Sequence, residues 1–253
     1  MNGHQGKLVV LHEGQGDISA YQQLAERLQL PLYQALNDVV TEDFFLSWRE
    51  DCLSLIDRNN LKSGLSVEIE HRPGEQLSWP IAKTGAFAQA LGKKTLTVVD
   101  ATAGWGQDSL AMFRMGYDVL SIERSPVMAE LLADGFKRLQ LLSWVQQLQL
   151  SPPRLISGNA IELLANLEFV PDCIYLDPMF PPKRKKSALA KKSIMVLRDL
   201  VGDDMDKEEL FAAGMKATGK RVVVKSPDYA EPLGGKPSAS FQGKLLRYDV
   251  YLK

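Results

Sequence analysis

The spacing of apolar residues changes character about a third of the way along this chain. Before that point the apolar runs are short and irregularly separated. Lys7 to Leu11 reads as a strand, and Ile18 to Leu30 repeats its apolar residues at helical spacing. Phe44 to Trp48, Cys52 to Ile56 and Leu65 to Ile69 read as short strands. In the last of these, Leu65, Val67 and Ile69 fall on one face. A turn follows at Arg72 to Glu75. Pro80 to Leu91 then reads as a helix, with proline opening it and Gly92 closing it.

From Thr95 onward apolar run, turn and helix alternate. Thr95 to Val99, Asp118 to Ile122, Arg154 to Ile156, Cys173 to Leu176 and Arg221 to Lys225 are expected strands. Helices are expected at Trp105 to Met115, Pro126 to Leu142, Ala160 to Leu167 and Ser193 to Thr218. Such alternation builds a parallel sheet covered by helices on both faces. The last two runs, Ser238 to Gln242 and Leu245 to Leu252, lie too close together for a parallel crossover and predict an antiparallel hairpin. The expected architecture is α/β: a mostly parallel seven-stranded sheet with a C-terminal antiparallel hairpin, plus a small N-terminal α/β unit. The small unit is expected at residues 1–78 and the larger at 79–253, with 79–92 as a hinge helix.

Composition adds little, and charge adds more. A chain of 253 residues, 45% hydrophobic and 24% charged, is globular. No apolar run approaches the ~20 residues that span a bilayer, and Met1 to Val10 lacks a signal pattern. A cytoplasmic protein without membrane contact is expected. Cys52 and Cys173 lie in apolar runs and are expected as buried thiols. His4, His12 and His71 show no metal-ligand spacing, so no metal is expected. The net charge of -1 hides an asymmetry. Residues 1–80 carry 6 Lys/Arg against 12 Asp/Glu, whereas Asp177 to Arg198 carries seven basic residues and one acid. Positive charge gathered beside a cleft binds a polyanion even when the whole protein is near neutral.

Two strand ends carry the candidate chemistry. Asp100 follows the first strand of the larger unit, and Gly104 and Gly106 come after it. Glycines there let backbone N–H groups approach a ligand beyond the carboxyl ends of parallel strands. A dinucleotide fingerprint needs a third glycine, and position 109 is serine. An acid at this point repels phosphate and attracts a cation. S-adenosylmethionine (SAM), a sulfonium with an ammonium group and no phosphate, therefore fits better than NAD. Gln107 and Asp108 open the next helix within reach of a methionine moiety, or serve only as its first-turn caps. Glu123 ends the second strand and can accept ribose hydroxyls. Arg124 beside it packs on the nucleoside or lies in a solvated turn. Asn159 and Ala160 suit an adenine edge, with helix capping as the alternative for Asn159.

The fourth strand, expected beside the first, ends in Asp177-Pro178-Met179-Phe180. An exocyclic base amine is a poor nucleophile, because its lone pair is delocalised into the ring. A carboxylate and a backbone carbonyl that accept its N–H groups draw the nitrogen toward tetrahedral geometry. Proline stiffens the turn, and the aromatic ring stacks on the base. Asp177, Pro178 and Phe180 are thus the candidate catalytic residues, acting largely by positioning. Next comes a basic strip, Lys183, Arg184, Lys185, Lys186, Lys191 and Lys192, suited to phosphates. Lys220, Arg221 and Lys225 are candidates for extending it, and Lys83 for facing the same cleft. The residues by themselves reach SAM-dependent methylation of an exocyclic amine on a nucleic acid. Two alternatives stay open: N-methylation of DNA or a protein amide, and a non-catalytic SAM-binding RNA assembly factor.

Three stretches carry a closer resemblance: VVDATAGWGQDSL (Val98 to Leu110), YLDPMFPPKRKKSAL (Tyr175 to Leu189) and KRVVVKSPDYAEPL (Lys220 to Leu233). They resemble the RsmJ-type methyltransferase family, and the resemblance runs through most of the chain after about residue 64. It implies a Rossmann-like class I SAM-dependent methyltransferase fold with SAM as cofactor. It also implies guanine N2 of small-subunit (16S) ribosomal RNA as target, met as RNA or as the assembled 30S subunit. By matching position it carries SAM contacts onto Gln107, Asp108, Glu123, Arg124, Asn159, Ala160 and Asp177.

Overall fold

The computed structural model describes residues 8–14, 16–38, 42–69, 79–180 and 206–253. The N-terminal unit holds β1 (Leu8–Leu11), α1 (Ile18–Leu28), β2 (Leu32–Tyr33), β3 (Phe44–Arg49), β4 (Cys52–Asp57) and β5 (Gly64–Leu65). Its five strands lie in the order β2-β1-β3-β4-β5. β1 runs parallel to β2 and β3, and the other pairs are antiparallel.

The larger unit begins with α2 (Gly85–Leu91), β6 (Thr97–Asp100), α3 (Gln107–Arg114), β7 (Asp118–Glu123) and α4 (Pro126–Gln140). It continues through α5 (Ser143–Gln147), β8 (Arg154–Ser157), α6 (Ala160–Ala165) and β9 (Cys173–Leu176). It ends with α7 (Lys207–Ala217), β10 (Arg221–Pro227), β11 (Ala239–Gln242) and β12 (Leu246–Leu252). The strand order is β11-β12-β10-β9-β6-β7-β8. Strands β6 to β10 are parallel, and β11 and β12 form the expected antiparallel hairpin against β10. Among the described residues no helix is long and apolar enough to cross a membrane.

Alternation along the central strands decides which residue faces which layer. Val98, Cys173, Tyr175 and Val223 pack on one side with Leu110, Met112, Leu131 and Leu132 of α3 and α4. Val99, Ile174, Leu176, Val222 and Val224 pack on the other with Leu164 of α6 and Leu210 of α7. The first of these layers continues without a break into the N-terminal unit, through Tyr21, Leu24, Leu46, Leu55 and Val67. Strands buried on both faces need near-continuous apolar runs, as Cys173 to Leu176 provides.

Four segments differ from the sequence reading. Strand β2 and helix α5 are too short to leave a periodic signal. Of Leu65 to Ile69 only Gly64–Leu65 pairs with β4. The Val67 carbonyl accepts the Arg138 guanidinium at 2.9 Å, so that stretch is bonded to α4 rather than to a strand. The helix expected from Pro80 starts at Gly85. Trp79 Nε1 donates to Phe113 O at 3.1 Å and Ile81 N to Arg114 O at 2.9 Å, which ties the preceding residues to the end of α3. Of the helix expected at Ser193 to Thr218, residues 193–205 lie outside the described residues.

Helix α4 joins the two units. Gly135 faces Val67 so closely that a Cβ would meet its Cγ1 at 2.5 Å. Asp134 Oδ2 accepts Leu53 N at 3.2 Å and Arg138 Nε at 2.7 Å, while Oδ1 accepts Trp48 Nε1 at 3.3 Å. Asp134→Ala strips the acceptor from three half-buried N–H groups. We expect it to lower stability by about 2 kcal/mol in urea unfolding, and Asp134→Asn, which keeps one acceptor oxygen, to lose less. Equal unfolding midpoints for Asp134→Ala and wild type would remove this junction from the docking of the units.

Candidate active site

Strand order reverses at β6, whose neighbours are β7 on one side and β9 on the other. Parallel strands end at the same edge, and a reversal leaves a crevice beyond their carboxyl ends. In register, Asp100 of β6 stands beside Tyr175 of β9. The turns that follow are bonded to each other: Asp177 N donates to Thr102 Oγ1 at 2.6 Å. A cavity of ≈ 260 Å³ opens at this point. Gly104, Gln107, Asp108, Glu123, Asn159 and Asp177 are on its walls, together with Arg124 and Ala160. Thr102, Trp105, Met179 and Lys225 also face it.

Local hydrogen bonds aim the groups. Gly104 has φ of 52° and donates its N–H to Glu123 Oε2 at 2.8 Å. Ser125 N donates to Oε1 of the same carboxylate at 2.8 Å. Two backbone donors thus fix the Glu123 carboxylate at the end of β7. Asn159 caps α6 through Oδ1, which accepts Ile161 N at 3.0 Å, and still lies on the cavity wall. Arg124 Nη1 lies 3.3 Å from Asp206 Oδ2, at the start of α7.

Lys225 lies between the cofactor-side and acceptor-side carboxylates. Its Nζ is 2.8 Å from Asp108 Oδ2 and 2.8 Å from Asp177 Oδ2. Tyr175 donates its hydroxyl to Asp108 Oδ2 at 2.7 Å. Burial disfavours the Lys225 ammonium, but the Asp177 and Asp108 carboxylates outweigh it and hold its pKa above the ordinary lysine value. Burial, reinforced by Asp108, raises the Tyr175 phenol well above its usual range, so it stays a donor.

The sequence reading grouped Lys225 with Lys220 and Arg221 as a basic surface, and the fold separates them. Four residues of strand span about 13 Å. Lys220 and Arg221 lie at the amino edge of the sheet, where Lys220 pairs with Asp172 at 2.7 Å and Arg221 bonds the Ala90 carbonyl at 3.2 Å. Lys83 lies at that same edge, with Nζ 3.7 Å from the Tyr117 ring centroid, not at the cleft. A signal for Lys225 was present in the sequence: it ends an apolar strand run, the same position from which Asp100 and Asp177 were read.

Other expected site residues lie off the cavity wall. Pro178 is buried. Phe180 lines a neighbouring cavity with Lys207 and Tyr229, and Lys207 Nζ is 5.3 Å from its ring centroid. Gly106 supports the wall from behind. It has φ of 73°, and a Cβ there would meet Leu132 Cδ2 at 2.5 Å, so glycine is what lets α3 start this close to α4. Asp100 is also behind the wall. Its Oδ2 accepts Ser109 Oγ at 2.6 Å and its Oδ1 accepts Thr102 N at 3.2 Å, and Ser121 Oγ donates to Ser109 Oγ at 2.8 Å. The basic strip from Lys183 to Lys192 lies outside the described residues. Among the described residues no cluster of three or more His, Cys, Asp or Glu could hold a metal. The Cys173 thiol is pushed up to about 12 by burial and is chemically quiet.

Burial pushes the Asp100 carboxyl up to about 7, against the Ser109 hydrogen bond and with help from the Asp108 charge. Between the ordinary value of 3.8 and about 7 the unfolded chain has lost this proton while the folded protein keeps it. The folded state is therefore penalised progressively as pH rises through that window. Asp100→Asn removes the penalty. Its stability relative to wild type is expected to rise on the order of 2 kcal/mol between pH 4 and 7, in paired urea titrations. A pH-independent difference would mean that Asp100 ionises normally.

The chain is similar to known proteins along most of its length. Residues 23–253 match the family model described as "Putative SAM-dependent methyltransferase". The ribosomal RNA small subunit methyltransferase J of Shewanella amazonensis is 43% identical over 225 residues, covering 83% of this chain and 87% of that protein. Its counterpart in Tolumonas auensis is 40% identical over 236 residues, covering 91% and 92%. The crystal structure of a SAM-dependent methyltransferase from Neisseria gonorrhoeae superposes with a TM-score of 0.69 at 27% identity, covering 97% and 96%. These matches reach into the N-terminal unit, well before the stretch from residue 64 on which the motifs lie. The chain belongs to the ribosomal RNA small subunit methyltransferase J family of SAM-dependent methyltransferases.

Proposed function

We propose that this protein transfers the methyl group of SAM to the exocyclic N2 of a guanosine in small-subunit (16S) ribosomal RNA. The observation that carries the reading is the meeting of Asp177 with Asp108, Gly104 and Glu123 around one cavity. The walls fit the cofactor. Asp108, Glu123 and Asp177 are acids at the strand ends, suited to a molecule that bears positive charge and hydroxyls and carries no phosphate. Glu123 accepts ribose hydroxyls in this reading, Gln107 and Asp108 serve the methionine moiety, and Asn159 and Ala160 the adenine; that all five line one cavity supports it. Bound SAM supplies a methyl group on a positively charged sulfur.

The chain's own residues prepare the acceptor nitrogen. Asp177 accepts one amine N–H, and the backbone carbonyl of its proline-stiffened turn accepts the other. This restores lone-pair density to the nitrogen. As the nitrogen–methyl bond forms and the carbon–sulfur bond breaks, positive charge develops on nitrogen. The Asp177 carboxylate stabilises that charge and takes the departing proton. Phe180, three residues on, offers its ring to the base. Lys183, Arg184, Lys185, Lys186, Lys191 and Lys192 follow directly in sequence, and their charge supports contact with phosphates. A ribosomal substrate and the free thiols of Cys52 and Cys173 support a cytoplasmic location.

Asp177→Ala is expected to lower transfer of labelled methyl from SAM to 16S rRNA by about 10²–10³-fold, with RNA binding retained. Near-wild-type transfer would remove Asp177 from this role. Offering rRNA, DNA and protein in the same assay separates the reading from N-methylation of DNA or a protein amide. Reversing the charge of Lys183, Arg184, Lys185 and Lys186 will weaken RNA affinity. It will also flatten the slope of log K against log salt by about 3. An unchanged slope would take the strip out of the interface.

A further inference from the structure

We infer that Lys225 is a positioning residue: held between Asp108 and Asp177, it fixes both carboxylates at the cavity, so that Asp177 meets an incoming amine as an acceptor. The inference rests on the reading of Asp177 given above. Strand β10 runs parallel to β9, with Val224 beside Leu176. The next residue of each strand is therefore Lys225 beside Asp177. One ammonium nitrogen reaches both carboxylates at 2.8 Å, and an ammonium with three donors can serve both at once.

The need for such a cation follows from the neighbours. Asp108 and Asp177 share one cavity, and buried Asp100 lies behind its wall. Carboxylates gathered this closely raise one another's pKa. A protonated Asp177 would be a donor and could not accept an amine N–H. Among the described residues at the cavity, Arg124 pairs with Asp206, and Glu123 is bound by two backbone N–H groups. The phenols of Tyr175 and Tyr248, on β9 and β12, are both shifted upward by burial and carry no charge near neutral pH. Among the described residues, Lys225 is the cation in contact with both acids. It also joins the helix that begins on the cofactor side to the strand end on the acceptor side.

The test compares Lys225→Met and Lys225→Gln with Lys225→Arg, which keeps the charge. The side-chain carboxyl titration of Asp177 is followed by carbon NMR in protein without SAM or RNA, assigned with Asp177→Asn. The neutral variants are expected to raise its midpoint by about 1–3 pH units, and Lys225→Arg to leave it near wild type. The acidic limb of kcat/KM against pH for rRNA methylation is expected to move upward by the same amount in the neutral variants. Either neutral variant, folded by its unfolding midpoint and showing an unshifted Asp177 titration, overturns the inference. Should neither neutral variant fold, an Asp177 midpoint in the wild-type protein at or above the ordinary carboxylate value would overturn it too. A wild-type protein that methylates no rRNA defeats the proposed function instead, and the NMR titration still decides the role of Lys225.

Discussion

The pairing of β6 with β9 is the constraint on which the site depends. The chain builds β6, β7 and β8 outward in one direction, then returns to lay β9 against the exposed edge of β6. Two turns about 75 residues apart in sequence then share one rim, held by the 2.6 Å bond from Asp177 N to Thr102 Oγ1. Any other strand order would leave Gly104 and Asp177 at separate places along the sheet. The continuous apolar run of Cys173 to Leu176 suits a strand buried on both faces, and the strand carries Asp177 to its position as a consequence.

Charge management follows from that convergence. Bringing strand ends together concentrates acids, and each is handled differently. Glu123 is held by two backbone donors. Asp100 is withdrawn behind the wall and bound by Ser109, where burial favours its neutral form. Asp108 and Asp177 remain facing the cavity and share Lys225. The result is a pocket whose acids are set differently: Glu123 is fixed on the wall at a strand end, Asp100 supports the wall from behind, and Asp108 and Asp177 flank Lys225.

The N-terminal unit is part of the same packing. Its inner sheet face and Val67 enter the apolar layer that covers one side of the larger sheet, and α4 presents Gly135, Asp134 and Arg138 to it. The helix that opens the cofactor side, α3, also begins against α4, where Gly106 makes room for Leu132. Packing at the docking surface and packing under the cavity therefore meet on a single helix.

The sequence by itself determined the architecture and most of the cavity wall. Strand-length apolar runs, each ending in a polar residue, place Gly104, Glu123, Asn159 and Asp177 on loops at one edge, because parallel strands must all end there. Periodicity could not fix how far each side chain reaches or which groups it meets. Those were tertiary decisions. They withdrew Asp100 and Gly106 from the wall, left Lys220 and Arg221 at the far edge, and brought Lys225 between two acids. Helix starts near Pro80 and the end of the run at Ile69 were likewise settled by bonds to α3 and α4, which no local pattern encodes. Local spacing specifies which way a residue points along its own element. What it points at depends on segments far away in sequence that only the folded chain brings near.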